Sequence, residues 1–142
     1  MNIKVKEVSN ASLPYHERPE FLALIDAVKA DLEVRDANGE LPPVQIVQYL
    51  KSQKLGALRL PKQYGGQALS IEELFAVIIE LGRADSDVAH IFHSHFQFTE
   101  DVLRHPDPSY REKWFERIAS GKIISNALAE PSSHNVGNGK LI

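Results

Sequence analysis

The chain has no cysteine in its 142 residues, which excludes disulfides, thiolate metal ligands and a cysteine nucleophile. It has no apolar run approaching the about 18 residues that span a bilayer. The opening Met1-Asn2-Ile3-Lys4-Val5-Lys6-Glu7 lacks the apolar core of a signal peptide. A concentrated charge of one sign is missing too. Sixteen Lys and Arg stand against 19 Asp and Glu, for a net charge of −3, and the basic residues are scattered. No nucleic acid and no membrane held by electrostatics is therefore expected as a partner. Gly65-Gly66 is followed by neither Gly-x-Gly-x-x-Gly nor Lys-Ser/Thr, so it reads as a turn and not as a phosphate cradle. With 43% hydrophobic and 25% charged residues, the composition is that of an ordinary globular domain. A chain of this length buries roughly 70% of its unfolded surface, and a cytoplasmic location is the expectation.

What the sequence does contain is helical periodicity. Phe21, Leu24, Ile25, Val28 and Leu32 make one apolar face between Glu20 and about Asp36, and Asn38-Gly39 supplies a stop. Pro42 and Pro43 suit the first turn of a second helix with Ile46, Val47 and Leu50 inside. A third helix carries Ile71, Leu74, Phe75, Ile78 and Leu81. A fourth runs from Ser86 to about Arg104 with Val88, Ile91, Phe92, His95, Thr99 and Val102 on one stripe. Asp107 and Pro108 read as the cap and first residue of a fifth, with Tyr110, Trp114, Phe115 and Ile118 inside and Gly121 at its end. Short connections point to a compact all-α bundle of about five helices.

The start of the third helix carries the strongest local signal. Ser70 and Glu73 fit a capping box, and Leu69 and Leu74 fit the hydrophobic staple around it. After Gly121 the character changes. Lys122 to Ala129 reads as a strand, and Glu130 to Asn135 as a loop. A lone strand exposes a row of unpaired backbone groups, so the C-terminus reads as the edge of a further domain.

The same helix start carries a resemblance. Leu60-Pro61-Lys62-Gln63-Tyr64-Gly65-Gly66-Gln67-Ala68-Leu69-Ser70 is similar to the (I/L)-P-x-x-Y-G-G-x-x-L-S signature of the acyl-CoA dehydrogenase superfamily. Three further segments match that family in order: Glu80-Leu81-Gly82-Arg83-Ala84-Asp85-Ser86-Asp87-Val88-Ala89, Ile118-Ala119-Ser120-Gly121-Lys122 and Ala127-Leu128-Ala129-Glu130-Pro131. The chain is thus identified as a member of this superfamily of flavoenzymes from about Phe21 onward. The resemblance implies an N-terminal helical domain over residues 1–121 and the start of a middle β-domain over 122–142. The family's C-terminal helical bundle, which usually builds tetramers, is not included.

In the family the E-P strand and loop lie against the flavin. Carried over, the flavin-facing positions are Asn126, Leu128, Ala129, His134 and Asn135. Ala129 stands where a dehydrogenase has Thr or Ser, Ser132-Ser133-His134-Asn135-Val136 replaces a G-A-G-S-D run, and Asn126 replaces an aromatic or apolar residue. These departures are similar to the dibenzothiophene monooxygenase-like branch, whose members take reduced FMN from a partner reductase and use oxygen. That branch carries an Asn at the position of Asn126 and a His in the fourth helix, for which His95 is the best match. The resemblance therefore implies Asn126 and His95 as catalytic residues, and a flavin cofactor, FMN ahead of FAD. It also implies a small organosulfur or similar apolar substrate, a flavin reductase as partner, and a homo-tetramer at full length.

Each position also has an ordinary reading. An inward His on an apolar stripe is most often a satisfied core residue, and Asn126 can cap a strand edge. His90, His93 and His95 do not suggest a metal site, because His90 and His93 share a face and His95 points elsewhere. Two other functions stay open: an FAD-dependent acyl-CoA dehydrogenase, and a non-catalytic, truncated helical domain. The dehydrogenase base belongs to the family's C-terminal domain, so residues 1–142 alone are expected not to turn over substrate.

Overall fold

The computed structural model describes residues 12–125, and these are all-α. Five helices follow in order: α1 (Pro19–Ala37), α2 (Val44–Ser52), α3 (Ile71–Ala84), α4 (Ser86–Arg104) and α5 (Pro108–Ala119). Short 3-10 turns lie at Tyr15–Glu17, Leu55–Ala57 and Lys62–Tyr64.

Local caps fix most of these boundaries. Ser70 Oγ accepts from the Glu73 N–H at 3.2 Å, and the Glu73 carboxylate accepts from the Ser70 N–H at 2.9 Å, completing the capping box of α3. Leu69 and Leu74 are both buried beside it. Asp85 caps α4, and Asp107 caps α5 with Pro108 at the first helical position. Replacing Ser70 by Ala is expected to cost about 1 kcal/mol, read as a lower urea midpoint with an unchanged slope.

The helices close around two apolar cores. The larger joins α1, α2, α3 and the first half of α4, with Phe21, Val28, Leu50, Val77, Leu81 and Phe92 fully enclosed. The smaller joins the second half of α4 to α5 through Val102, Phe115 and Ile118. Residues 55–60 run between the two. Leu55 and Leu58 enter the larger core, whereas Ala57 and Leu60 enter the smaller. Arg59 between them clasps Glu100 of α4 at 2.5 and 3.0 Å and also donates to the Leu69 carbonyl.

Three expectations are corrected. Helix α2 begins at Val44, after both prolines, because Pro42 precedes a proline and is held out of helical geometry. On α3, Leu74 and Leu81 are buried as expected, but Phe75 is 57% and Ile71 38% exposed, while Val77 and Ala84 are buried. Helix α3 is apolar on two stripes, and α1 and α4 cover only one of them. Residues 122–125 of the expected strand carry no strand pairing. A strand needs a ladder partner, and the Ile124 N–H is instead taken by a side chain. The rest of that strand, residues 126–129, lies outside the described residues.

Candidate functional site

Helix α4 positions the candidate site because its two faces have different tasks. Its start is set by Asp85, whose Oδ1 accepts from the N–H groups of Asp87 at 2.8 Å and Val88 at 3.3 Å. Its inner stripe, Val88, Phe92, His95, Phe96, Thr99 and Val102, is buried. His95 is thus turned into the protein by the same period that buries its apolar neighbours.

Both ring nitrogens of His95 are engaged. Nε2 lies 2.8 Å from the Gly56 carbonyl oxygen, and Nδ1 accepts from the Ile124 N–H at 3.2 Å. A nitrogen that accepts from an N–H carries no hydrogen, and one that faces a carbonyl must carry it. The hydrogen-bond partners therefore assign the neutral Nε2–H tautomer. Burial pushes the pKa of the ring below the ordinary histidine value, against a smaller upward pull from the Gly56 carbonyl. The approach to Gly56 is possible because that residue has no side chain. A Cβ there would sit 2.8 Å from Nε2 and 2.8 Å from Ile123 Cδ1.

The outer face of α4 carries His90, Ser94, Gln97 and Asp101 at intervals of four, three and four residues, which is one helical stripe. Its lower end borders a groove of about 200 Å³ lined by Ser94, Gln97, Phe98, Asp101, Ile124 and Ser125. Its upper end reaches a cavity of about 550 Å³ bordered by Arg35, Asp36, Glu40, Asp87, His90 and Ile91. The larger cavity is poorly suited to an anionic ligand. It presents Asp36, Glu40 and Asp87, and the guanidinium of Arg35 is already bound to Asp31 and Asp85.

The site residues expected from sequence divide accordingly. His95 is in the core, bonded to the peptide that leaves α5. Asn126, Leu128, Ala129, His134 and Asn135 lie outside the described residues, and the peptide leading to them passes along the smaller groove. Sequence reading missed Gly56, Ile124 and the outer stripe. The period running from His90 through Ser94 and Gln97 was the available signal for that stripe. Gly56 and Ile124 are 39 and 29 residues from His95 and left no local trace.

The acyl-CoA dehydrogenase N-terminal domain family matches residues 23–122. The chain is also 34% identical over 85 residues to a probable FMNH2-dependent monooxygenase, SfnC, of Pseudomonas putida. That stretch is 60% of this chain and 21% of the relative, so the match spans about a fifth of the relative's length. No solved structure matches the chain significantly. With the family model matching most of the helical region described above, the chain belongs to the acyl-CoA dehydrogenase family through its N-terminal domain.

Proposed function

We propose that this chain supplies one wall of the flavin site in an oxidoreductase of the family, one that uses reduced FMN and oxygen to oxygenate a small organosulfur or similar apolar substrate. The observation that carries the reading is the groove where Ser94, Gln97 and Asp101 meet the peptide at Ile124 and Ser125, immediately before Asn126. At about 200 Å³, the groove is smaller than the roughly 300–1,000 Å³ of sites that enclose a cofactor-sized ligand. Its mixture of amide, hydroxyl, aromatic and aliphatic groups with one carboxylate, Asp101, suits one side of such a site and not the whole. A flavin bound there supplies the redox chemistry. The residues of this chain hold and orient it, with Asn126, Leu128, Ala129, His134 and Asn135 as its facing positions and residues 122–142 as the beginning of the β-domain. His95 acts on this wall from beneath.

Similarity to the probable FMNH2-dependent monooxygenase of Pseudomonas putida favours FMN over FAD and a separate flavin reductase as partner. A homo-oligomer completes the reading at full length. No helix among the described residues is long and apolar enough to cross a membrane.

The test uses a full-length version. Oxygen consumption with reduced FMN and substrate is the expected activity, and Asn126→Ala should lower it by about 10²–10³-fold, the usual loss for a polar group facing developing charge. Unchanged turnover in a folded variant removes Asn126 from the site. Dye reduction by an acyl-CoA, without oxygen consumption from reduced FMN, assigns the chain to the dehydrogenase reading instead.

A further inference from the structure

We propose that His95 is a positioning residue: its imidazole pins the peptide leaving α5, at Ile124, to the Leu55–Ala57 turn, and so sets where Asn126 begins. Three features converge on this junction. The ring is fully buried yet bonded on both edges to backbone, to the Gly56 carbonyl at 2.8 Å and to the Ile124 N–H at 3.2 Å. Gly56 leaves no room for a Cβ against the ring and the Ile123 side chain. Ile123 packs into the larger core, so the exit peptide is seated by its side chain and registered by its backbone. Thr99 steadies the same turn of α4 by donating to the His95 carbonyl at 3.0 Å. Only the last step, from the position of Asn126 to a flavin, rests on the proposed function.

The junction is also sensitive to protons by construction. Nδ1 is the nitrogen that gains a proton when the neutral ring becomes charged, and it faces an N–H donor. A second proton therefore removes the Ile124 bond and sets two donors against each other. Among the described residues, no carboxylate contacts the ring to favour its charged form. The Leu55–Ala57 turn offers no ionisable side chain, and Lys54 before it donates to the Ala119 carbonyl at 2.7 Å. On α4, Glu100 is held by Arg59, and Asp101 borders the outer groove. Around the end of α5 the charged residues are Glu116, Arg117 and Lys122, with Glu116 and Lys122 exposed and Arg117 lying over Trp114. On α2, Lys51 offers its backbone carbonyl to the Lys54 N–H. The folded ring thus resists protonation. The unfolded chain takes up the proton first as pH falls, so this contribution to stability is complete above the ordinary histidine range and declines on acidification.

Nuclear magnetic resonance on the 142-residue chain tests the proposal without any flavin. The imidazole nitrogen shifts should show the neutral Nε2–H tautomer near neutral pH. The Ile124 amide should be protected from exchange, and that protection should fall along the titration of His95. Two variants separate the edges of the ring. Asn at 95 keeps an acceptor near the Nδ1 position, whereas Gln keeps a donor near the Nε2 position. Ile124 should exchange about tenfold faster in His95→Gln than in His95→Asn, the ratio for loss of one ordinary hydrogen bond. An unprotected Ile124 amide in the unaltered chain overturns the proposal, and so does the opposite tautomer or equal protection in the two variants. If neither variant folds, the tautomer and the pH titration of the unaltered chain still decide. Failure of the flavin reading shows separately, as an Asn126→Ala enzyme with unchanged turnover and an intact Ile124 bond.

Discussion

Asp85→Ala is expected to lower the stability of the chain by about 3 kcal/mol, toward the lower end of the range for breaking a buried ion pair. Asp85 is 4% exposed and serves two elements at once. Its Oδ1 caps α4, and its Oδ2 accepts from Arg35 Nη2 on α1. Arg35 in turn binds Asp31 at 2.6 Å and the Leu41 carbonyl at 3.2 Å, so one guanidinium ties α1, the connection to α2 and the α3–α4 junction. Burial opposes the charge on Arg35, but its bonds to Asp31 and Asp85 outweigh that and raise its pKa. Removing Asp85 forfeits a cap worth about 1 kcal/mol and leaves a largely buried cation with one carboxylate. Two facts hold the loss at the lower end. Asp31 remains, and Arg35 borders the cavity of about 550 Å³, through which water reaches it. Asp85→Asn keeps the cap oxygen but turns its NH2 donor toward the Arg35 guanidinium, so in urea unfolding it should recover at most the roughly 1 kcal/mol of the cap relative to Asp85→Ala. A loss below about 1 kcal/mol in Asp85→Ala would show that water already solvates Arg35 and that the pair is not buried in the sense of a core interaction.

The features legible in the sequence are those written within a few residues of one another. Asp107-Pro108 and Ser70-x-x-Glu73 fix helix starts because a cap bonds to the N–H groups of its own first turn. The inward direction of His95 followed from the period of Val88, Phe92 and Val102, which needs no tertiary information. Helix α3 shows where this stops. Ile71, Phe75 and Ile79 form a stripe as apolar as the one formed by Leu74, Val77 and Leu81. Only the placement of α1 and α4 decides that the latter is buried. Arg35 carries a signal of another kind. It lies seven residues after Val28 and three after Leu32, on the inner stripe, with Asp31 one turn before it. A charged residue at such a position announces a buried pair, although its second partner, 50 residues away, cannot be named locally. The candidate site divides on the same line. The motif at Ala127 to Pro131 was readable, whereas the ring of His95 acquires its role from Gly56 and Ile124, which only the folded chain brings to it.

The two adjacent glycines of the Tyr-Gly-Gly turn should respond unequally to alanine, and the second substitution should cost about 3 kcal/mol or more, at the upper end of overpacking losses. Gly65 has φ +80°, in the left-handed region, and a Cβ there would meet nothing within 4 Å. Its substitution incurs only backbone strain, about 1 kcal/mol. Gly66 has the opposite constraint. A Cβ there would fall 2.1 Å from the Leu60 carbonyl oxygen, 2.6 Å from its carbon and 2.7 Å from the Ala57 oxygen. All three are backbone atoms and none can rotate away. Nor can the segment shift easily, because Ala68 N–H bonds to Leu60 at 3.0 Å and Leu69 N–H to Leu58 at 3.1 Å. Leu58 and Leu60 are anchored in different cores, so displacement of this strand of backbone disturbs both. It also moves Gly56, four residues before Leu60, and through it the ring that holds Ile124. Gly66→Ala should therefore lower the urea midpoint far more than Gly65→Ala and also speed exchange at the Ile124 amide, whereas Gly65→Ala should leave that amide protected. Equal, small losses in the two variants would mean that the turn relaxes locally and that close backbone approach is not what Gly66 is there to permit.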